Sequence, residues 1–170
     1  QRSFDPIVSA DGRYVSFTSY ATNLVPGDTN RHEFDDDGLD VFLYDRVVGS
    51  LQRVSLDWRG EEINANNVGQ ITPDAKLVVF ASDGEGVMLG DINSNGKSAI
   101  YVRDLQTGVN ERITQAPDGS FPDGGVSGAE ASFDGRFIVY LSDSSNLVTD
   151  TNGVRAVSYT HLTLPTSFLV

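Results

Sequence analysis

The chain has 170 residues, a length that is usual for a single domain. Its 24 acidic and 12 basic residues give a formal net charge of −12, which disfavours nucleic acid and anionic membrane surfaces as partners. The absence of cysteine excludes disulfides and thiolate sites, and no apolar run is long enough for membrane insertion.

A tight turn followed by a strand occurs three times and sets the pattern of the chain. The first copy is Ser9–Phe17, Ser132–Tyr140 is a close copy, and Thr72–Phe80 is a looser one. Asp-Gly between two apolar runs is a strong hairpin signal, because glycine takes a positive φ without steric cost. In the second copy Ala75 stands in place of the glycine, so we expect strain of about 1 kcal/mol or a different turn there.

Four short strands are predicted in the first unit. The first ends at the turn, around Ile7–Ser9, and the others are Arg13–Ser19, Asp40–Asp45 and about Leu51–Ser55. All are rich in β-branched and aromatic residues and are bounded by Gly, Asn, Asp or Pro. The later second strands Leu77–Phe80 and Phe137–Tyr140 are apolar on both faces, which predicts burial between two layers. No amphipathic helix is predicted.

Landmarks further along the unit return at a fixed spacing, which indicates a repeat architecture. Three pairs lie 59 positions apart, namely Gly49 and Gly108, Arg53 and Arg112, and Gly60 and Gly119. Because the two arginines recur one blade apart, we expect each to form an inter-strand salt bridge to a turn aspartate rather than to contact a ligand.

Repeated four-stranded units joined by short turns predict an all-β fold, an incomplete β-propeller with two four-stranded blades and the first half of a third. The blades are assigned to residues 1–64, 65–125 and 126–156. Since a closed ring has about four to eight blades, we interpret the chain as part of a larger protein whose remaining blades are its first partners. Unpaired sheet edges predict that the chain folds poorly or aggregates alone.

The last residues differ from the rest of the chain. Val157–Thr166 carries no charge and no relation to the repeat, and it resembles a translated sequencing-adapter scar. The alternative is a natural terminal strand rich in Thr and Leu. We interpret 157–170 as a non-native tail, leave it out of the fold prediction, and expect it to have low order or to pair with the open third blade.

Three segments carry a resemblance to a known family, namely Asp11–Phe17, Asn23–Asn30 and Asp40–Arg46. Together they resemble the TolB-type, WD-like β-propeller repeats of bacterial proteins, and the match covers most of residues 3–155. The resemblance implies a propeller fold and a periplasmic, cell-surface or secreted location. It implies little about activity, because propellers support many unrelated functions.

The loop between the second and third strands is the candidate metal site. In the second unit, Asp91, Asn93 and Asn95 have the D-x-[DN]-x-[DN]-G spacing of a calcium loop, in which alternate residues direct oxygen ligands at one point. The distal acid of such a loop is missing, because Val102 stands at its position. In the first unit the candidate calcium ligands are Asp28, Asn30, Asp35, Asp37 and Asp40. The alternative is that Asp, Asn and Gly only form turns here by bonding their own backbone.

No catalytic constellation is predicted. His32 lies in an acidic insertion and His161 in the suspected tail, so no Ser-His-Asp arrangement can be drawn. Trp58, beside Arg59 in a polar loop, is a candidate contact residue, with capping of a blade edge as the alternative. We predict a non-catalytic binding or scaffold module for a protein or glycan partner, stiffened by calcium. The alternative is the propeller part of a larger peptidase or polysaccharide lyase whose catalytic residues lie outside this chain.

Overall fold

The computed structural model describes residues 2–29, 38–65, 69–132, 136–148 and 156–161. Within these residues the chain forms eleven β-strands and no α-helix. The strands make three antiparallel sheets in which neighbours in sequence are also neighbours in space. None of these residues belongs to a helix that is long and apolar enough to cross a membrane.

Each sheet is one blade. Blade one contains β1 (Ser3–Val8), β2 (Tyr14–Ser19), β3 (Asp40–Asp45) and β4 (Ser50–Arg53). Blade two contains β5 (Gly69–Ile71), β6 (Leu77–Ser82), β7 (Ala99–Asp104) and β8 (Asn110–Arg112). Blade three contains β9 (Val126–Ala131), β10 (Phe137–Ser142) and β11 (Ala156–His161). The architecture is an incomplete β-propeller, as the repeat predicts.

Blade two lies between the other two blades and shares a hydrophobic core with each. Its strand β6 is buried along its whole length. Val78 and Phe80 belong to the core shared with blade one, whereas Leu77, Val79 and Ala81 belong to the core shared with blade three. The predicted burial of this strand between two layers is therefore confirmed.

Strand β10 differs from β6 in its burial. Ile138 and Tyr140 are buried, but Val139 is 42% exposed. The expectation that Phe137–Tyr140 is buried on both faces is wrong for the face of Val139, because in the described part of the chain no sheet packs there. Strand β11 pairs with β10 over all six residues. Of the two outcomes expected for the tail, pairing with the third blade is the one observed for 156–161.

Blades one and two approach each other closely at Gly69, the first residue of β5. A Cβ atom on Gly69 would lie 2.8 Å from Val41 Cγ1 and 2.9 Å from Thr18 Cγ2, so only glycine fits. The buried Ser16 hydroxyl of β2 donates to Gly69 O at 3.1 Å and accepts from Ile71 N at 3.2 Å. One serine of blade one thus satisfies the backbone of the first strand of blade two.

The first strands of the three blades surround a cavity of about 270 Å³, lined by residues of β1, β5 and β9. Strands β1 and β9 are each irregular in their pairing with the next strand. Within these irregular stretches Asp5 has a φ of 49° and Gly128 a φ of 59°. The two residues hold equivalent positions in the repeat, so both blades bend their first strand in the same way.

The meander topology puts the connections at two opposite ends of the blades. The short-turn end consists of the tight turns with their flanking aspartates, at 9–13, 45–49, 72–76 and 104–109. The long-loop end consists of the longer segments 20–29, 54–65, 83–98, 113–125 and 143–148. At the short-turn end, Ala75 has a φ of 59° beside 71° for its counterpart Gly12, which confirms the predicted strained turn.

Candidate functional site

At the long-loop end of blade one, three carboxylates converge on one arginine. Arg53 ends β4, and only 7% of its side chain is exposed. Its Nη2 lies 3.1 Å from Asp28 Oδ2, its Nε lies 3.4 Å from Asp40 Oδ2, and its Nη1 pairs with Glu62. One oxygen from each acid lies within 4.8 Å of the others, a spacing that could also hold a metal ion. We call these four residues the Arg53 cluster.

Neighbouring residues hold two of the three carboxylates of the Arg53 cluster in place. Asp40 begins β3, and its Oδ1 accepts from the Ser55 hydroxyl at 2.7 Å. Glu62 lies in the segment that joins the blades and accepts from Thr29 N at 3.0 Å. Burial raises the pKa of Glu62, but hydrogen bonds from Thr29 and Arg53 outweigh it and hold that pKa below its usual value. Oδ1 of Asp28 is buried and accepts no hydrogen bond within the described residues.

The same position in blade two is built with less charge. Arg112 Nη1 lies 2.8 Å from Asp91 Oδ1, and its guanidinium carbon lies 3.8 Å from the centroid of the Phe121 ring. The Tyr101 hydroxyl donates to Asp91 Oδ2 at 2.8 Å. Burial and the Asp91 carboxylate raise the pKa of Tyr101, so the hydroxyl stays protonated. Arg53 and Arg112 both form salt bridges, as expected, but the expected partner is wrong. The acids come from the long loops, the start of β3 and the segment between the blades rather than from the tight turns.

The two blades therefore differ in their charge balance. Ala99 and Phe121 of blade two stand 59 positions after Asp40 and Glu62 of blade one. Blade two pairs one carboxylate with one guanidinium, whereas blade one places three carboxylates around one guanidinium. The Arg53 cluster thus carries two negative charges more than its counterpart.

The other candidate calcium ligands of blade two serve the loop backbone. Asn93 Nδ2 donates to Asp83 O and Lys97 O, each at 2.9 Å. Asn95 Oδ1 accepts from Lys97 N at 2.9 Å, the hydrogen bond of an Asx turn. With both oxygens of Asp91 also engaged, this loop has the contacts that the turn interpretation expects.

In blade one, the structure brings Asp28 and Asp40 together as the sequence predicts. Asn30, Asp35 and Asp37 lie outside the described residues. Sequence analysis missed Glu62, which comes from a different loop. Its signal was the change from Phe121 to an acid at the equivalent position, nine residues after the repeated arginine. Calcium binding stays a prediction.

A cleft of about 540 Å³ opens beside the Arg53 cluster. Apolar walls alternate with polar groups around it, contributed by the loop after β2, by β4 and by the segment that follows β4. The lining includes Val25, Pro26, Leu51, Gln52, Leu56 and Glu61. The cleft therefore offers both apolar surface and carboxylates to a ligand.

A rigid hairpin at 56–62 forms one side of this cleft. Asp57 is buried and accepts hydrogen bonds from Arg59 N at 2.7 Å, Arg59 Nε at 2.9 Å and Glu61 N at 2.9 Å. The hairpin presents Trp58, which is 49% exposed and lies 5.8 Å from the Arg59 guanidinium. Its backbone also joins the blades, because Leu56 O accepts from Asn110 Nδ2 at 2.7 Å.

No protein-family model and no curated protein matches this chain. Solved structures do match. TolB from Acinetobacter baumannii is 20% identical with a TM-score of 0.53, over 98% of this chain and 33% of TolB. The putative TolB from Agrobacterium tumefaciens is 15% identical with a TM-score of 0.55, over 95% and 47%. The β-propeller domain of the Trilobed protease from Pyrococcus furiosus is 16% identical with a TM-score of 0.50, over 92% and 42%.

These similarities establish the fold. The chain has the architecture of a TolB-like β-propeller, and it spans about a third to a half of the length of these structures. At such identities the comparison extends to the fold alone, so activity, partners and location are argued separately.

Proposed function

We propose that this chain is a non-catalytic β-propeller binding module that contacts its partner through the long-loop end. The stacked blades provide a rigid support, and the loops at one end of such a support are where binding residues are usually carried. The acids buried at this end are engaged in structural pairs, as the Arg53 cluster and the Arg112–Asp91 pair illustrate.

The observation that carries this proposal is the hairpin at 56–62. Trp58 and Arg59 correspond to Pro117 and Asp118 of blade two, so the repeat does not require an aromatic or a basic residue there. A buried carboxylate nevertheless fixes the hairpin and holds Arg59 beside a half-exposed indole. Tryptophan and arginine are the residue types that most often dominate binding interfaces.

Site-specific photo-crosslinking tests the proposal. A photoreactive amino acid replaces Leu89, which is 74% exposed at the long-loop end, or Val47, which is 72% exposed at the short-turn end. After irradiation in extract of the source cells, we expect a discrete adduct from position 89 and none from position 47. Equal adducts from both positions, or none from either, would contradict the proposal.

We also propose an extracytoplasmic location, in the periplasm, at the cell surface or in the secreted fraction. The support is the similarity in fold to TolB and the resemblance of the repeat to TolB-type sequences. Fractionation of the source cells with an antibody against this chain tests it. Recovery with cytoplasmic marker enzymes would contradict it.

A second candidate is that the chain forms part of a larger enzyme. The similarity to the propeller domain of the Trilobed protease favours it, because that propeller is a domain of a protease. The full-length reading frame separates the two candidates. A hydrolase domain in the same frame supports the enzyme, and a frame of propeller blades alone supports the binding module.

Calcium is proposed as a stabilising ion for blade one. The support is the surplus of two negative charges in the Arg53 cluster and the unpartnered Oδ1 of buried Asp28. Millimolar calcium should raise the melting temperature of the chain, because a hard cation prefers carboxylate oxygens. Asp28→Asn should reduce that shift, whereas Asp118→Asn, in an exposed turn of blade two, should leave it unchanged. An unchanged melting temperature in the parent chain would contradict calcium binding.

A further inference from the structure

The two ends of the propeller differ in charge. The described segments of the long-loop end contain ten acids and only two bases, Arg59 and Lys97. The acids are Asp28, Asp57, Glu61, Glu62, Asp83, Glu85, Asp91, Asp118, Asp123 and Asp143. Arg53 and Arg112, at the ends of their strands, offset part of this charge from within buried pairs. The side chains of Asp28, Asp57 and Asp91 are buried and that of Glu62 is largely buried, so the surface of this end carries six exposed acids against two exposed bases and is acidic.

The short-turn end is close to neutral by comparison. Its four described turns contain four acids and three bases, namely Asp11, Asp45, Asp74 and Asp104 with Arg13, Arg46 and Lys76. Two of the bases neutralise a neighbouring acid directly. Arg13 lies 2.6 Å from Asp45, and Lys76 lies 3.1 Å from Asp74. The net charge of the chain is thus concentrated at the end that carries the cleft and the hairpin.

The cleft of blade one fits a long basic side chain. Val25, Pro26 and Leu51 line it and can pack on an aliphatic stem, while Glu61 provides a carboxylate at its edge. Arg53 also lines the cleft, but the three carboxylates of the Arg53 cluster more than balance its charge.

The indole of Trp58 lies two residues before Gly60 of the cleft. Arg59 lies 5.8 Å from the ring, but the indole is still 49% exposed, and this exposed part can pack on a second cationic side chain. Apolar contact, carboxylate and aromatic face occur together, and this combination favours lysine or arginine within a polypeptide.

We propose that the long-loop end binds a basic segment of a protein partner, with a lysine or arginine in the blade-one cleft and another against Trp58. This inference rests on the proposed binding function and names the chemistry of the partner. The acidic end steers a basic segment towards the cleft, and complementary charge determines which partner associates. The exposed Leu89 and Ile92 in the neighbouring loop extend the contact with apolar surface.

Binding of matched peptides tests this inference. Three fluorescent peptides of equal length and leucine content carry lysine, glutamine or glutamate at the same positions, and their affinity for the 170-residue chain is measured by anisotropy. We expect the lysine peptide to bind at least about tenfold more tightly than the glutamine peptide, and this ratio to shrink in about 0.5 M salt. The glutamate peptide should not bind.

Four variants locate the peptide. Trp58→Ala should weaken binding of the lysine peptide by about tenfold or more. The double variant Glu61→Gln with Glu85→Gln should weaken it and reduce its salt dependence. The matched controls are Val47→Ala, an exposed apolar residue of the short-turn end, and Glu130→Gln, an exposed acid on β9. Both controls should bind like the parent, and circular dichroism checks that all four variants fold.

Three results would overturn the inference. They are equal binding of the lysine and glutamine peptides, unchanged binding by Trp58→Ala, and equal losses in the control variants. The photo-crosslinking experiment separates this failure from failure of the proposed function. If a partner crosslinks at position 89 through a segment without lysine or arginine, the binding function stands and its basic chemistry is wrong.

Discussion

Blade one and blade two both attach the loop after the second strand to the sheet through an arginine, but with different numbers of charged residues. In both, an arginine at the end of the fourth strand reaches an aspartate in the loop after the second strand, and so clamps that loop to the sheet. Blade two completes the clamp with the Phe121 ring and the Tyr101 hydroxyl. Blade one completes it with two further carboxylates.

This difference separates what the fold needs from what one blade adds. The Arg112 clamp shows that one carboxylate and an aromatic ring are sufficient to hold the loop. The surplus acids of the Arg53 cluster are therefore not required by the repeat, and neither are Trp58 and Arg59 nearby. Residues that depart from a repeat without a structural need are the better candidates for function.

The sharpest test of the comparison is removal of each arginine. Arg53→Ala leaves three buried carboxylates without their cation and should lower the free energy of unfolding by about 3–5 kcal/mol. Arg112→Ala leaves one, so its loss should lie at or below the lower end of that range. Urea denaturation of both variants measures the difference.

The control for these variants is Arg46→Ala. Arg46 is exposed at the short-turn end, where it donates to Gly12 O at 2.7 Å. We expect a change within about 0.5 kcal/mol. A larger loss for Arg112→Ala than for Arg53→Ala would contradict the argument that the three carboxylates of blade one depend on Arg53.

The close packing of blade one against blade two depends on Gly69. Gly69→Ala places a methyl group within 3 Å of Val41 and Thr18, which should cost about 1–3 kcal/mol through overpacking. Gly125→Ala is the matched control, because the nearest atom to its new Cβ lies 3.8 Å away. If both variants were equally stable in urea, the close approach of the blades at Gly69 would be wrong.

The sequence predicted the repeat unit well because turns and apolar strands are local features. The third strand of blade one has its predicted bounds, and the left-handed Ala75 is one of the two outcomes expected from its place in the turn. The recurrence of Arg53 and Arg112 also predicted that each forms a salt bridge, but not which acids they pair with. These features depend on the interval between residues in the sequence, and a repeat allows that interval to be recognised.

The cluster itself was only half predictable, for a physical reason. Glu62 reaches Arg53 from the segment between blades, so its position depends on how that segment folds back over the sheet. Likewise, Gly69 begins strand β5 and has no positive φ to explain a glycine there. It is needed because Val41 and Thr18 of another blade approach it, and a single sequence does not show which residues meet across sheets.

Replacing two acids around Arg53 by their blade-two counterparts tests the comparison directly. The double variant Asp40→Ala with Glu62→Phe reproduces Ala99 and Phe121 around Arg53. Replacing buried charges by apolar groups is often neutral or stabilising, so we expect stability equal to the parent or about 1 kcal/mol higher. A loss above about 2 kcal/mol in urea would show that blade one depends on its acids.

Substitutions in the turns before the second strands should give smaller changes in stability, and the backbone conformation predicts their direction. Ala75 of blade two holds a φ of 59°, which costs an alanine more than a glycine. Ala75→Gly should therefore change stability little or raise it by up to about 1 kcal/mol, since relief of strain competes with a more flexible unfolded chain. Gly12→Ala, the reciprocal change at a φ of 71°, should be destabilising by about 1 kcal/mol. Thermal unfolding compares the two, and a destabilising Ala75→Gly with a neutral Gly12→Ala would contradict the strain argument.

The smallest expected effect is a difference between blades one and two in how the stability of their short turns depends on pH. In blade one, the hydrogen bond from Arg13 lowers the pKa of Asp45 to about 2, whereas in blade two the counterpart of Arg13, Lys76, pairs with Asp74 instead. Because this pKa is below its ordinary value of 3.8, the pair stabilises the fold above that pH, and its contribution is lost as the pH falls towards about 2. Asp45→Asn should flatten the dependence of stability on pH between these limits, and Arg13→Gln should flatten it similarly.

Since the Arg13 side chain is 40% exposed, the effect should be small and should shrink in high salt. An unchanged pH profile in both variants would show that this ion pair contributes nothing to the difference between the blades.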